Sequence, residues 1–216
     1  MMKQPLLQVA LDHTALPEAL GATRSLAAEV DVIEAGTILC AAEGARAVEA
    51  LRYLYPEHIL VADLKVADAG SVLAEMVMSR GADWMTVICC APYATMEKAL
   101  EVAGKYEGDI QIELYGEWTF QQAEKWRDIG LKQAIYHRGR DAQAAGKSWD
   151  EEDLSKIRRL AEMGFEVSVT GGLTPADLPQ FAGVPVKAFI SGRTLYGAED
   201  PAESAMSFKR VIRENW

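Results

Sequence analysis

Short apolar runs rich in β-branched residues alternate along the chain with segments whose apolar positions recur every three to four residues. The first kind predicts strands and the second amphipathic helices. Strands are expected at Leu7–Leu11, Asp31–Ile33, Ile59–Ala62, Trp84–Ile88, Ile110–Leu114, Gln133–Tyr136, Glu166–Val169 and Val186–Ile190. Between them Val48, Leu51 and Leu54 share one helix face, as do Leu154, Ile157 and Leu160, and Ala205, Phe208 and Ile212. Proline just after a capping residue, in "TPADL" at Thr174 and "DPAES" at Asp200, marks two helix starts. No linker, low-complexity tract or internal repeat interrupts the series. Eight alternating units predict a single-domain (β/α)8 barrel over residues 1–216. A doubly wound open sheet is the competing arrangement and normally announces itself with a glycine-rich first turn. Here the first turn is "LDHTALPEA", and neither GxGxxG nor GxxxxGK[ST] occurs in the chain.

The polar residues fall where such a barrel would build a site. Asp12 closes the first predicted strand, Glu34 the second and Asp63 the third. Glu113 ends the fifth, His137 the sixth, Thr170 the seventh, and Gly192 follows the eighth. In a barrel the carboxyl ends of all strands converge on one face. Any one of these residues alone is an ordinary solvated turn; as a set they converge on a single mouth. Carboxylates gathered there repel one another, and a hard divalent cation relieves the repulsion. Mg²⁺ takes one or two carboxylates together with waters and substrate oxygens, and Glu34 and Asp63, on adjacent strands, form the natural pair. No His/Cys cluster suits zinc, because His13, His58 and His137 are scattered.

The stretch "VADLKVADAG" places Asp63, Lys65 and Asp68 together at the end of the third strand. Lys65 shares a face with Asp63 if the strand extends that far. An ammonium among carboxylates keeps its charge, so Lys65 is expected to act as a cation or acid rather than as a Schiff-base nucleophile. The alternative for the trio is a surface ion-pair turn. "VTGGLTP" and "ISGR" follow the last two strands, and their glycines with Arg193 suit phosphate, which barrels often bind with these loops. "YHRGRDAQAAGKSW" is a long sixth loop carrying His137, Arg138 and Arg140. Only one of the two arginines need face the mouth, and surface charge is the alternative for Arg138. His13 should point away from Asp12, and His58 lies at a strand's opening end, so both are expected to be structural.

The formal net charge is -10 with no basic run, which argues against a nucleic-acid partner. An anionic substrate must therefore be held by local positive groups. No apolar run approaches the ~20 residues of a membrane helix, and "MMKQPLLQVALD" has no signal-peptide core. Three cysteines form no CxxC pair; Cys40, Cys89 and Cys90 are expected to be buried and reduced, the last two on opposite faces of a strand. A cytoplasmic protein is expected.

The DxKxxD element of Asp63, Lys65 and Asp68, the "ALD" and "EAGT" strand ends, "HRGRDAQ" and the "TGG"/"SGR" pair together resemble the orotidine-monophosphate decarboxylase superfamily. The likeness runs in order along essentially the whole chain. It is greatest to the branch that decarboxylates 3-keto-L-gulonate 6-phosphate to L-xylulose 5-phosphate and CO₂ in L-ascorbate or related sugar catabolism. The resemblance implies Mg²⁺ held by Glu34 and Asp63, substrate contact by Asp12, and Lys65 stabilising a cis-enediolate. It implies that Asp68 reaches a neighbouring subunit's site, hence a homodimer, and that His137 and Arg140 position the water that returns a proton. Gly172, Gly192 and Arg193 would bind the phosphate, with Thr170 and Glu113 lining the substrate.

The sister branch, the hexulose-6-phosphate synthases, is a formaldehyde aldolase that shares the metal pair and the DxKxxD element. The resemblance separates the two at Glu113, Arg140 and Thr170, where this chain carries the decarboxylase residues; Leu64, the variable position, should point away from the site. A non-catalytic sugar-phosphate-binding protein is the remaining alternative. It would need only the glycine and arginine loops and would leave Glu34, Asp63, Lys65 and His137 unexplained.

Overall fold

In the computed structural model, which describes residues 4–216, eight parallel strands hydrogen-bond in chain order and the last returns to the first. Met1 to Lys3, the start of the N-terminal segment read above, lie outside the described residues. The strands are β1 (Leu6–Leu11), β2 (Val32–Ala35), β3 (Ile59–Val66), β4 (Trp84–Ile88), β5 (Asp109–Leu114), β6 (Gln133–His137), β7 (Glu166–Thr170) and β8 (Val186–Ser191). Gln8 on β1 registers with Val32 on β2 and with Ile190 on β8, which closes the ring. The outer shell comprises α1 (Leu16–Leu26), α2 (Thr37–Glu43), α3 (Arg46–Leu54), α4 (Gly70–Met78) and α5 (Tyr93–Lys105). It continues with α6 (Phe120–Asp128), α7 (Arg140–Ala144), α8 (Glu151–Glu162), α9 (Arg193–Tyr196) and α10 (Pro201–Asn215).

Alternation along the strands sorts residues to two sides. Leu7, Val9 and Leu11 of β1 enter the shell between barrel and helices, where Trp126, Phe181, Phe189 and Phe208 are fully buried. Each such side chain contributes roughly 1.5–3 kcal/mol of apolar burial. Tyr136, Trp149, Phe181, Phe189 and Trp216 form an unbroken aromatic series with centroid spacings of 6.2, 5.2, 5.6 and 5.3 Å. The barrel interior is instead notably polar, with Gln8, Thr86, Gln111 and Ser168 fully buried. Buried amides need partners. Gln111 donates to Gln133 Oε1 at 3.0 Å, Lys187 donates to the same oxygen at 2.8 Å, and Gln133 donates to Asp109 at 2.8 Å. Separately from this group, Gln8 donates to Glu34 at 2.6 Å and so joins the barrel interior to the mouth.

Several expectations are corrected. β3 runs on to Val66 and so contains Asp63 and Lys65, and β2 is displaced to include Glu34. Leu54 is 48% exposed because α3 ends there, while Val48 and Leu51 are buried as expected. "TPADL" opens a 3-10 segment, Pro175–Phe181, in place of an α-helix; Pro179 inside it has no N–H to donate to a helical ladder. Within the long sixth loop lies the short helix α7. Cys89 and Cys90 lie in a turn beyond β4; Cys40 and Cys89 are buried, whereas Cys90 is exposed. Burial, followed by the charges of Asp63 and Glu34, pushes the Cys40 thiol up to about 12, which leaves it protonated and inert. Asp200 caps α10 by accepting from Glu203 N at 3.0 Å, as the sequence predicts. His58 Nε2 pairs with Ala27 O at 2.8 Å, and the His13 ring lies tilted against Tyr196 with centroids 4.4 Å apart, both structural contacts.

The contact between α4 and α5 gives a stability test. A Cβ on Gly70 would meet the Thr95 carbonyl oxygen at 2.1 Å, whereas one on Gly104 would meet nothing within 4 Å. Gly70→Ala is expected to destabilise the protein by about 1–3 kcal/mol. Gly104→Ala, inside α5, should stabilise it by up to about 1 kcal/mol, both read by urea denaturation.

Candidate active site

The mouth is a cavity of about 690 Å³ at the carboxyl ends of the strands, lined among others by Asp12, Glu34, Asp63, Lys65, Glu113, His137 and Arg140. Thr170, Gly172, Gly192 and Arg193 line it as well. Every site residue expected from the sequence therefore meets in one cavity except Asp68. Asp68 is exposed, does not line the mouth, and makes no hydrogen bond or ion pair among the described residues.

The centre of the mouth is set by an irregularity in β3. Its pairing with β4 shifts register between Ala62 and Val66, and Lys65 has φ +46°. A non-glycine residue in that region is strained, and bulges of this kind re-aim a side chain. Asp63 and Lys65 do face each other, through this bulge rather than through a regular pleat. The strained backbone is tied down where Lys65 N donates to Thr86 Oγ1 at 2.8 Å.

Lys65 Nζ lies 2.5 Å from Asp63 Oδ2, 2.7 Å from Thr37 Oγ1 and 3.0 Å from Glu113 Oε2. Thr37 donates to Asp63 Oδ2 from Oγ1 at 2.5 Å and from its backbone N at 3.2 Å, while Thr86 Oγ1 donates to Asp63 Oδ1 at 2.7 Å. Burial penalises the Asp63 charge, yet Lys65 and these hydrogen bonds outweigh it and hold the carboxyl below its ordinary range. Burial likewise opposes the Lys65 ammonium, but Asp63 and Glu113 overcome it and hold the ammonium above its ordinary value. Lys65 is therefore a fixed cation, as expected from its neighbours in the sequence.

Glu113 is 2% exposed and lies between two partners, Lys65 and His137, whose Nδ1 is 2.5 Å from Glu113 Oε1. Burial, then Asp63, raises the Glu113 carboxyl, and His137 and Lys65 offset this in part. The contact fixes the His137 ring and leaves Nε2 without a protein partner among the described residues. Across the mouth, Arg140 Nη2 lies 3.3 Å from Asp12 Oδ2 and joins α7 to the end of β1. Thr170 Oγ1 donates to Ile190 O at 3.3 Å.

Two participants escaped the sequence reading, Thr37 and Thr86, and one neighbour of the mouth, Arg138, is placed differently from the expectation. Thr37 stands in the "EAGT" strand end, and a lone threonine within the apolar run "WMTVI" was the available signal for Thr86. Arg138 is corrected from surface charge to a buried side chain, 9% exposed, that donates twice to Gly171 O.

No group of three or more His, Cys, Asp or Glu among the described residues is arranged to hold a metal unaided. The pair Glu34 and Asp63 nonetheless suits Mg²⁺, because both are hard oxygen donors and each is only 5% exposed. Burial, then the Asp63 charge, drives the Glu34 carboxyl well above its ordinary range. Lys65 and the hydrogen bond from Gln8 offset this only in part, so a cation beside the pair would favour the ionised form of Glu34. Glu34 accepts one hydrogen bond, on Oε2 from Gln8, and its Oε1 accepts none among the described residues.

With this geometry in hand, residues 5–208 match the Orotidine 5'-phosphate decarboxylase / HUMPS family. A Salmonella paratyphi B protein named 3-keto-L-gulonate-6-phosphate decarboxylase UlaD is 54% identical over 215 residues, spanning 100% of both chains. The crystal structure of KGPDC from Streptococcus mutans in complex with D-R5P superposes with a TM-score of 0.98 at 50% identity, covering 99% of this chain and 100% of that one. The crystal structure of 3-hexulose-6-phosphate synthase from Salmonella typhimurium superposes with a TM-score of 0.92 at 26% identity, over 98% and 100% of the two chains.

The charge pattern predicts opposite effects from two substitutions, measured by thermal denaturation near neutral pH in the presence of a chelator. Glu34→Gln removes a buried charge held against Asp63 and should raise the melting temperature by a few degrees. Lys65→Met strips Asp63 and Glu113 of their cation and should destabilise the protein by on the order of 3 kcal/mol.

Proposed function

The chain belongs to the orotidine 5'-phosphate decarboxylase / HUMPS family, and from that premise we propose that it is a carbon–carbon lyase acting on a sugar phosphate. The reaction is the Mg²⁺-dependent decarboxylation of 3-keto-L-gulonate 6-phosphate to L-xylulose 5-phosphate and CO₂, serving L-ascorbate or related sugar catabolism in the cytoplasm. The observation that carries this reading is the Lys65 ammonium fixed between Asp63 and Glu113 in a mouth that also holds the Glu34–Asp63 pair. The 54% identity to UlaD over the full length supports the choice of substrate.

Glu34 and Asp63 would hold the Mg²⁺, which supplies Lewis-acid stabilisation of charge on substrate oxygens. Gly172, Gly192 and Arg193 would bind the phosphate, while Asp12 and Thr170 would contact the sugar. The bond from the carboxylate carbon to its neighbour breaks, CO₂ leaves, and the electron pair stays behind as a cis-enediolate. Lys65, held charged by its neighbours, lies ready to neutralise that developing anion without losing its proton. Glu113 orients the His137 ring, whose Nε2, with Arg140, would position the water that returns a proton to carbon.

We also propose a homodimer in which Asp68 serves the partner's site. Its exposure and its lack of any partner among the described residues support this, as does Val72, 66% exposed on the adjoining α4.

The formaldehyde aldolase reading is the runner-up, supported by the TM-score of 0.92 to 3-hexulose-6-phosphate synthase. Identity falls there to 26%, against 50% for the Streptococcus mutans protein, and this favours the decarboxylase. A non-catalytic binding protein would give no reason to concentrate buried charge at Lys65.

CO₂ release from 3-keto-L-gulonate 6-phosphate should require Mg²⁺, be abolished by a chelator, and fall by at least about 10³-fold in Lys65→Ala with the fold intact. Near-normal turnover in that variant contradicts the assignment. Mixing Lys65→Ala and Asp68→Ala protomers should restore part of the activity, and no rescue in proven heterodimers contradicts the shared site.

A further inference from the structure

We propose that Arg138 is a positioning residue that aims the Gly172 N–H at the substrate phosphate by pinning the far side of the same peptide group. The proposal rests on the reading that Gly172 takes part in phosphate binding.

Arg138 directly follows His137, yet it does not line the mouth. Its backbone N donates to Thr170 O at 3.0 Å, and its guanidinium donates to Gly171 O from Nε at 3.1 Å and from Nη2 at 2.7 Å. The guanidinium carbon lies 4.9 Å from the Trp149 ring centroid, and Trp149 is wedged between Tyr136 and Phe181. A planar cation stacked on a fixed indole holds its fork in one orientation.

What the fork grips is the peptide between Gly171 and Gly172. No described peptide bond is cis, so the Gly171 carbonyl and the Gly172 N–H lie in one plane and point in opposite directions across the C–N bond. With the oxygen held on the Arg138 side, the N–H is directed away from Arg138. Gly171 and Gly172 themselves line the mouth. Their φ values of +121° and +60° belong to a loop free to turn its peptide plane unless something holds it. The gap is also closed on both flanks. A Cβ on Gly171 would meet Arg138 O at 2.2 Å, and one on Gly172 would meet the Gln143 amide at 2.0 Å. A cation on the carbonyl also polarises the peptide and makes its N–H a stronger donor to an anion.

Three full-length variants test this: Arg138→Met removes charge and fork, Arg138→Lys keeps charge without the fork, and Trp149→Phe loosens the stack. Inorganic phosphate is the probe, followed by calorimetry, together with KM and kcat for the sugar phosphate. Arg138→Met is expected to weaken phosphate binding and raise KM by about ten-fold or more, with kcat changed by less than about three-fold. Arg138→Lys should fall between that variant and the wild type, and should carry the test if Arg138→Met does not fold. Trp149→Phe should shift KM in the same direction by a smaller factor. Wild-type phosphate affinity in a folded Arg138→Met or Arg138→Lys overturns the proposal, as does a loss confined to kcat. If phosphate binding weakens as expected but the wild type releases no CO₂, the decarboxylase reading fails while the clamp stands.

Discussion

The contact on which the rest of the mouth depends is the Lys65 ammonium, held 2.5 Å from Asp63 and 3.0 Å from Glu113. Three buried carboxylates at one barrel mouth are costly to keep ionised without compensation. One cation shared between two of them makes the arrangement tolerable, and its position fixes theirs. From Asp63 the order passes to Thr37 and Thr86, and from Glu113 it passes to the His137 ring. Glu34 makes no ion pair with Lys65, and burial followed by the Asp63 charge raises its carboxyl.

This balance explains the unusual barrel interior. A mouth this charged needs a polar floor, and Gln8 supplies it by donating to Glu34 from below. The glutamine and threonine layer in turn forces the strands to alternate apolar and polar residues instead of running continuously apolar. It also explains the strain at Lys65. A regular strand would spread Asp63 and Lys65 along the pleat; the bulge with φ +46° folds the lysine back over its own neighbour.

The succession of short apolar runs and helix-period segments made the barrel legible in the sequence, and the polarity of the strand ends made most of the mouth legible, because the carboxyl ends of a barrel's strands converge on one face. The bulge was not legible, since it arises from how β3 pairs with β4 and not from either strand alone. Thr86 was hidden for a related reason: within "WMTVI" it looks like a β-branched filler, and only the fold brings it under Asp63. Arg138 was misread because charge in a sequence does not report burial, and the indole that shelters it comes from eleven residues further on. Leu54 and Cys90 failed at element ends, where periodicity stops carrying information about which side is covered.

The central claim is that Lys65 remains a cation throughout and never becomes a nucleophile. Borohydride treatment of the enzyme during turnover of the sugar phosphate, followed by mass spectrometry of the Lys65 peptide, tests it most directly. A fixed ammonium leaves that peptide unmodified, and the recovered enzyme keeps its activity on fresh substrate. A reduced sugar adduct on Lys65, with matching loss of activity, would show a Schiff base and contradict the account.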